Sequence, residues 1–189
     1  MATSVFSDYE IDELGIKFDG EEEYGVIRCI GSLEEEMNTR TISKKCRGIT
    51  VKEITKGDGT GTVKISAHIP WDIYTKGYGM NLDTLIKGVK AYGRNSVHPS
   101  FSATGHVTDE DGVEKYKAYP KCVIKTGKAA KITNGEEEVA EVELEIGVTP
   151  DEYGNGVYEA LASELEDASV KAAWMNAFTP ELVQSVTTA

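Results

Sequence analysis

Apolar and polar residues take turns along several stretches of this chain, and a period of two is the mark of a strand with one buried face. Between Thr62 and Ile73, the residues Val63, Ile65, Ala67, Ile69, Trp71 and Ile73 share one side, while Thr62, Lys64, Ser66, His68 and Asp72 take the other. A strand is expected there, with Trp71 on its buried face. The run from Arg47 to Thr55 has Ile49 and Val51 in step and slips at Glu53-Ile54, and the intervening Lys56-Gly57-Asp58-Gly59-Thr60-Gly61 is dense in turn residues. A long hairpin from Arg47 to Ile73 is predicted, with a bulge near Glu53.

A second pair repeats the theme. Phe101, Ala103, Gly105 and Val107 alternate with Ser100, Ser102, Thr104 and His106 before a turn at Asp109-Glu110-Asp111-Gly112. The return strand sets Tyr116, Ala118, Cys122 and Ile124 against Lys115, Lys117, Tyr119 and Lys121, and Pro120 within it demands an edge or an irregularity, because proline cannot donate to a ladder. Ala140, Val142, Leu144, Ile146 and Val148 then face inward opposite Glu141, Glu143 and Glu145. Between the hairpins, Leu82, Leu85, Ile86 and Val89 follow helical spacing, with Asn81 as N-cap and Gly93 past the end. After Pro150, Val157, Leu161, Leu165 and Ala168 point to a helix, and Thr179-Pro180 to a short helical turn. The expected fold is mainly β: an antiparallel β-sandwich or partly open barrel with one flanking α-helix, long hairpins, extended arms and a C-terminal helix. One domain spans 1–189, with 1–16 as an N-terminal arm, Gly20 to Glu23 as a solvated acidic loop and 150–189 as a C-terminal region.

Chemistry is harder to find. The three histidines, His68, His98 and His106, would form a metal site or a base only if the fold collected them, and His68 and His106 sit on the polar sides of their strands. Cys29, Cys46 and Cys122 are odd in number and widely spaced, which suits neither a disulfide framework nor a metal clip, and Cys29 and Cys122 lie among apolar neighbours as buried, inert thiols would. The Gly57–Gly61 cluster precedes a strand where a phosphate loop needs a helix. Asp151–Gly156 resembles a calcium loop with Tyr153 where an oxygen ligand is wanted and Ala162 where the bidentate Glu should be. No cofactor, metal or catalytic group is expected. No apolar run approaches the ~20 residues that cross a bilayer, and the acidic N-terminus is unlike a secretory signal, so membrane and export are not expected.

Charge is more informative. The net charge of −12 repels free duplex DNA from most of the surface. Glu34, Glu35 and Glu36 are followed at once by Arg40, Lys44, Lys45 and Arg47. The bland reading is a solvated loop with weak ion pairs. The sharper one places acidic and basic patches on different faces of the subunit, so that identical copies meet in a complementary, heterologous contact.

Four stretches carry a resemblance. They are Gly31–Glu36 through Thr39, Lys44-Lys45 and Gly48; Gly59–Thr62 leading into Ile65–His68; Lys76–Met80; and Pro150–Gly156. From about Lys17 onward the chain resembles the major tail (tail tube) proteins of long, non-contractile-tailed bacteriophages, the siphophages, of Gram-positive hosts. The resemblance implies a structural virion protein, made in the host cytoplasm and no enzyme, whose hexameric rings stack head-to-tail into a tube for genome ejection. It implies long hairpins joined into a barrel around the channel, and partners in a tape-measure protein, a tail terminator and distal tail proteins. The Arg47–Ile73 hairpin is the candidate lining element, since strands of ~12 residues at ~3.3 Å each reach ~40 Å. Thr62, Lys64, Ser66 and His68 are its candidate lumen face, with Glu34, Glu35 and Glu36 adding to a negative wall past which double-stranded DNA slides without specific binding. Three alternatives stay open: the tube of a contractile tail or secretion system; a β-sandwich binding carbohydrate or protein, which wants an exposed aromatic platform; and, weakest, a hydrolase whose turnover would depend on His68, His98 or His106.

Overall fold

The computed structural model describes residues 5–135 and 137–185. Among them the strands are β1 (Glu10–Phe18), β2 (Gly25–Ile27), β3 (Ile30–Cys46), β4 (Ile49–Ala67), β5 (Phe101–Thr108), β6 (Glu114–Ile124), β7 (Val142–Val148) and β8 (Tyr158–Leu161). Two helices accompany them, α1 (Trp71–Gly77) and α2 (Ala168–Ala177), with a 3-10 turn at Pro180–Val183 where Thr179-Pro180 announced one. All strand pairings are antiparallel, in the order β2-β1-β5-β6-β7-β4-β3, and β8 pairs with β6 off this path. The sheet curls until β1 and β3 approach each other, enclosing one core that includes Leu14, Ile16, Val63, Ile65, Phe101, Tyr119, Leu144 and Ile146. This is the expected mainly β, partly open barrel with a helix at its flank.

The long hairpin lies one strand earlier than the periodicity implies. β3 and β4 are joined at Arg47-Gly48, both at positive φ (50° and 82°), which is the backbone of a two-residue I′ turn. The glycine-rich Lys56–Gly61 stretch is a bulge inside β4. Met37 pairs with Gly61 and Thr39 with Gly57, leaving Asn38 facing Asp58, Gly59 and Thr60. Asp58 accepts hydrogen bonds from the Thr60 backbone and hydroxyl, at 2.9 and 2.7 Å. Gly59 (φ 77°) has no room for a side chain, since a Cβ there would stand 2.7 Å from the Gly154 carbonyl oxygen. The expected irregularity near Glu53 is a bulge at Val51, between the pairs Lys44–Lys52 and Lys45–Thr50.

Other expectations are corrected for local reasons. The strand predicted to Ile73 stops at Ala67, because Pro70 cannot donate to a ladder and its φ of −53° starts α1 instead. Trp71 therefore leaves the core and is 63% exposed. No helix forms over 81–89: isolated turns and Gly88 at φ 93° replace it, and Ile86 is 80% exposed. A short helix needs a surface to pack on, and α1 already buries Ile73 and Thr75 at the flank. The expected helix through Val157 and Leu161 is β8, and the helix itself begins at Ala168, where Asp167 accepts the Ser169 N–H at 2.8 Å. The second half of the arm expected over 1–16 is sheet instead: Glu10–Phe18 lies between β2 and β5, with Leu14 fully buried. Residues 1–4 of that arm and 186–189 of the C-terminal region lie outside the described residues.

Pro120 behaves as foreseen and has a larger effect. It stands where β6 exchanges β8 for β7 as neighbour, and the extra residue between the pairs Ala103–Tyr119 and Phe101–Cys122 reverses the alternation. Tyr119, Cys122 and Ile124 face the main core, whereas Tyr116 and Ala118 face outward into a second cluster with Trp174 and Phe178. Trp174 is 2% exposed, donates its Nε1–H to the Lys117 carbonyl at 3.1 Å and lies 5.0 Å from the Phe178 ring. Trp174→Ala should cost about 3–5 kcal/mol in urea unfolding followed by circular dichroism; a loss under about 1 kcal/mol would mean that α2 contributes little to the domain.

Candidate functional site

The histidines have separate partners. His68 is exposed just past β4, His98 contacts the Ile124 carbonyl at 2.7 Å and the Tyr92 hydroxyl at 3.2 Å, and His106 sits 2.6 Å from Asp12. His106 is thus tied to β1, with its side chain only 18% exposed, where an open sheet position was expected. Cys29, expected among apolar neighbours, is exposed, as is Cys46 beside the hairpin turn; Cys122 is buried, and burial pushes its thiol pKa up. Among the described residues no three His, Cys, Asp or Glu are grouped to hold a metal ion. Asp151 uses its carboxylate on its own loop, accepting from Tyr153 and Asn155 N–H at 2.9 and 3.0 Å and from the Tyr158 hydroxyl at 2.6 Å. That holds the Gly154 turn against the β4 bulge.

The outer face of β3, β4 and β7 is acidic. Register places Glu34 beside Lys64 and Lys64 beside Glu145, Glu36 beside Thr62, and Ser66 beside Glu143. The Ser66 hydroxyl donates to Glu141 at 2.6 Å, and Lys125 reaches the Thr62 hydroxyl at 3.2 Å. Thr62, Lys64 and Ser66 therefore share a face with Glu34 and Glu36, as the alternation requires, whereas His68 lies beyond the strand end and its N–H donates to the Cys29 carbonyl. Five carboxylates stand here against Lys64 and Lys125.

Glu35 points the other way. Its side chain is 21% exposed, although the residue as a whole is open because β3 is an edge strand whose backbone faces solvent. Tyr119 donates its hydroxyl to Glu35 at 2.5 Å, and the Lys117 ammonium lies 3.1 Å from Glu35 and 2.6 Å from Glu159. Lys115 bridges Glu159 at 3.4 Å and also pairs with Asp8. Burial pulls the Lys117 pKa down, but the hydrogen bonds and charges of Glu159 and Glu35 outweigh it and hold it above the ordinary lysine value. Burial raises the Glu159 carboxyl, and Lys117 and Lys115 more than reverse this, leaving it below the usual carboxylate range. Tyr119 is pushed well up by burial and then by Glu35. The root of the hairpin is thus tied by charge to β6, β8 and the N-terminal segment. An outward lysine in a regular alternation gave no sign of this; the Pro120 irregularity was the available clue.

Beyond Met37 and Gly61, β3 and β4 pair with each other and with no other described strand, and residues 38–58 are exposed. Partnered residues share a face, so Arg40 with Lys56, Ile42 with Ile54 and Lys44 with Lys52 form one side. Thr41 with Thr55, Ser43 with Glu53, and Lys45 with Thr50 form the other, where the Thr41 and Thr55 hydroxyls lie 2.9 Å apart. Arg47 occupies the turn. Ile42, Ile49, Val51 and Ile54 are 50%, 70%, 57% and 39% exposed. Residues 38–56 hold six lysines and arginines against Glu53, a net of +5, so the remainder of the chain carries −17. The charge segregation seen in sequence is therefore a spatial one, though it lies in a strand pair and not a loop.

No protein-family model matches the sequence, and no curated protein matches it. Among solved structures, a chain of the anti-feeding prophage baseplate (6-fold symmetrised) is similar at TM-score 0.45 and 9% identity, over 85% of this chain and 97% of that one. A chain of the anti-feeding prophage tube terminating cap is similar at TM-score 0.47 and 11% identity, over 86% of this chain and 100% of that one. Both TM-scores fall below 0.5, too low to transfer a role.

The charged root carries a pH dependence. Glu159, with a lowered folded pKa, contributes stability above the ordinary carboxylate value of ~4.3 and loses it as pH falls through the folded value; Lys117, with a raised one, contributes fully below ~10.4 and loses it as pH rises through the folded value. Both act fully from about pH 5 to 10. Lys117→Ala should destabilise by about 2 kcal/mol at pH 7, with the gap to the unaltered protein narrowing in denaturant titrations toward pH 3 as Glu159 protonates. A gap independent of pH would show that packing alone is lost.

Proposed function

We propose that this protein is the tube subunit of a long bacteriophage tail, a structural virion protein whose stacked hexameric rings form the conduit for genome ejection. The observation that supports it best is the outer part of the β3–β4 hairpin, beyond Met37 and Gly61, which no other described strand accompanies. A two-stranded ribbon is marginal in water, and its open edges and exposed isoleucines are costly to a protein that stays alone. Identical copies side by side would give each edge a neighbour, and closure into a ring would leave none open. In this reading the outer face bearing Glu34, Glu36, Glu143 and Glu145 turns toward the channel. With a screening length of ~8 Å, such a wall repels phosphates only near contact, which keeps a duplex moving and unbound. The hairpin root at Glu35 belongs to the scaffold, not to the wall.

The reading assigns no catalysis and no cofactor. It assigns synthesis in the host cytoplasm, residence in the tail, and contacts with a tape-measure protein, a tail terminator and distal tail proteins. No described helix is long and apolar enough to cross a bilayer. The same surfaces would serve the tube of a contractile tail or of a secretion system. A second reading, a carbohydrate-binding module, gains from Trp71, which is exposed and stacked on Tyr74 with centroids 5.8 Å apart and planes 18° from parallel.

Negative-stain microscopy of the concentrated protein should show tubes with regular striation. Changing Glu34, Glu36 and Glu145 to lysine should leave tubes intact and slow DNA ejection about tenfold or more. Unchanged ejection removes the acidic wall, and a chain that stays monomeric and is absent from virions removes the tube. Polysaccharide binding that is lost in Trp71→Ala would favour the second reading.

A further inference from the structure

β4 runs from the hairpin turn to Ala67, and α1 begins four residues later, so α1 lies at the far end of β4 from the tip, a separation of up to ~60 Å. Beside α1 is a groove of about 480 Å³ between that helix and the β1–β2 turn. Ile16, Phe18 and Ile73 form its apolar floor, and Glu22, Glu23 and Asp72 lie on its rim. Lys76, the basic group lining it, is already committed to Glu21 at 2.5 Å. Among the described residues no ion pair reaches Glu22, Glu23 or Asp72.

The hairpin is the chemical converse of this end. On one face an exposed Ile42–Ile54 pair is flanked by Arg40–Lys56 on one side and Lys44–Lys52 on the other: an apolar centre with a cationic rim. None of these four cations has an ion-pair partner among the described residues. The geometry points to a head-to-tail contact in which the cationic, apolar face of one subunit's hairpin seats on the acidic groove beside α1 of a second copy. The net charge of +5 on the hairpin and −17 on the rest makes a second copy the complementary occupant, and donor and acceptor at opposite ends make the contact heterologous and self-propagating. It leaves the opposite hairpin face, with Thr41, Ser43, Thr50 and Thr55 and the balanced Lys45 and Glu53, uncovered. This contact rests on the tube reading and specifies how successive rings hold each other.

A charge swap tests it. Sedimentation velocity over a concentration series would compare the unaltered chain with Lys44→Glu/Lys52→Glu, with Glu22→Lys/Glu23→Lys, and with the chain carrying all four changes. Each pair alone should raise the concentration for half-association about tenfold or more, and the fourfold variant should return to within about threefold of the unaltered chain. Circular dichroism confirms folding of each, and recovery in the fourfold variant excludes misfolding as the cause of loss. Hairpin reversal without effect, or a fourfold variant no better than either pair, overturns the contact while leaving the tube reading intact. An unaltered chain that never associates overturns both.

Discussion

A strand's backbone groups are satisfied within a sheet when a neighbour lies on each side, and among the described residues β3 pairs with β4 alone. This unmet demand organises the rest. The curled sheet brings β1 close to the start of β3 without pairing to it, so the barrel stays open where the hairpin leaves the body. Beyond the β4 bulge the hairpin has no support from another described strand and carries four large exposed aliphatic side chains, Ile42, Ile49, Val51 and Ile54. A fold that buries Leu14 and Ala118 completely yet leaves this ribbon bare is built for company.

Buried charge at the root keeps such a projection aimed. Lys117 is tied to Glu35 on β3 and Glu159 on β8, while its carbonyl receives the Trp174 indole. One residue of β6 thus joins the hairpin, the C-terminal helix and the sheet between them. Tilting the hairpin would draw Glu35 away from Lys117, whose side chain is almost fully buried, and losing part of a buried ion pair costs more than loosening an apolar contact. A second brace lies at the β4 bulge. A Cβ on Gly59 would meet the Gly154 carbonyl oxygen and one on Gly156 the Gly59 carbonyl oxygen, so neither position tolerates a side chain.

Strands with one side on an apolar core were legible. Alternation is clean for β5 and β7, and for each half of β6, because one side chain in two must find a core, and Pro120 and the Asp109–Gly112 turn read correctly. β3 was not legible, since a ribbon exposed on both faces has no reason to alternate, and Asn38 to Cys46 contains none of the required signal. The glycine-rich stretch misled for a related reason: positive φ and close backbone approach serve a bulge as well as a turn. The apolar stripe from Leu82 to Val89 fits a helix by spacing, yet spacing says nothing about whether a surface is free to receive it. Register brings Glu34, Glu36, Thr62, Lys64 and Ser66 onto one face, a juxtaposition that no alternation in β3 announced, while Glu35 turns toward Tyr119 and Lys117 and His68 lies past the strand.

The two-residue turn at Arg47-Gly48 has an evolutionary corollary. Because side chains repeat every second position, adding two residues to each arm of the ribbon lengthens it by ~6–7 Å and keeps every side chain on its own face, whereas adding one exchanges the faces wholesale. Reach can therefore be adjusted in discrete paired steps while the barrel, its charged root and the turn are inherited unchanged.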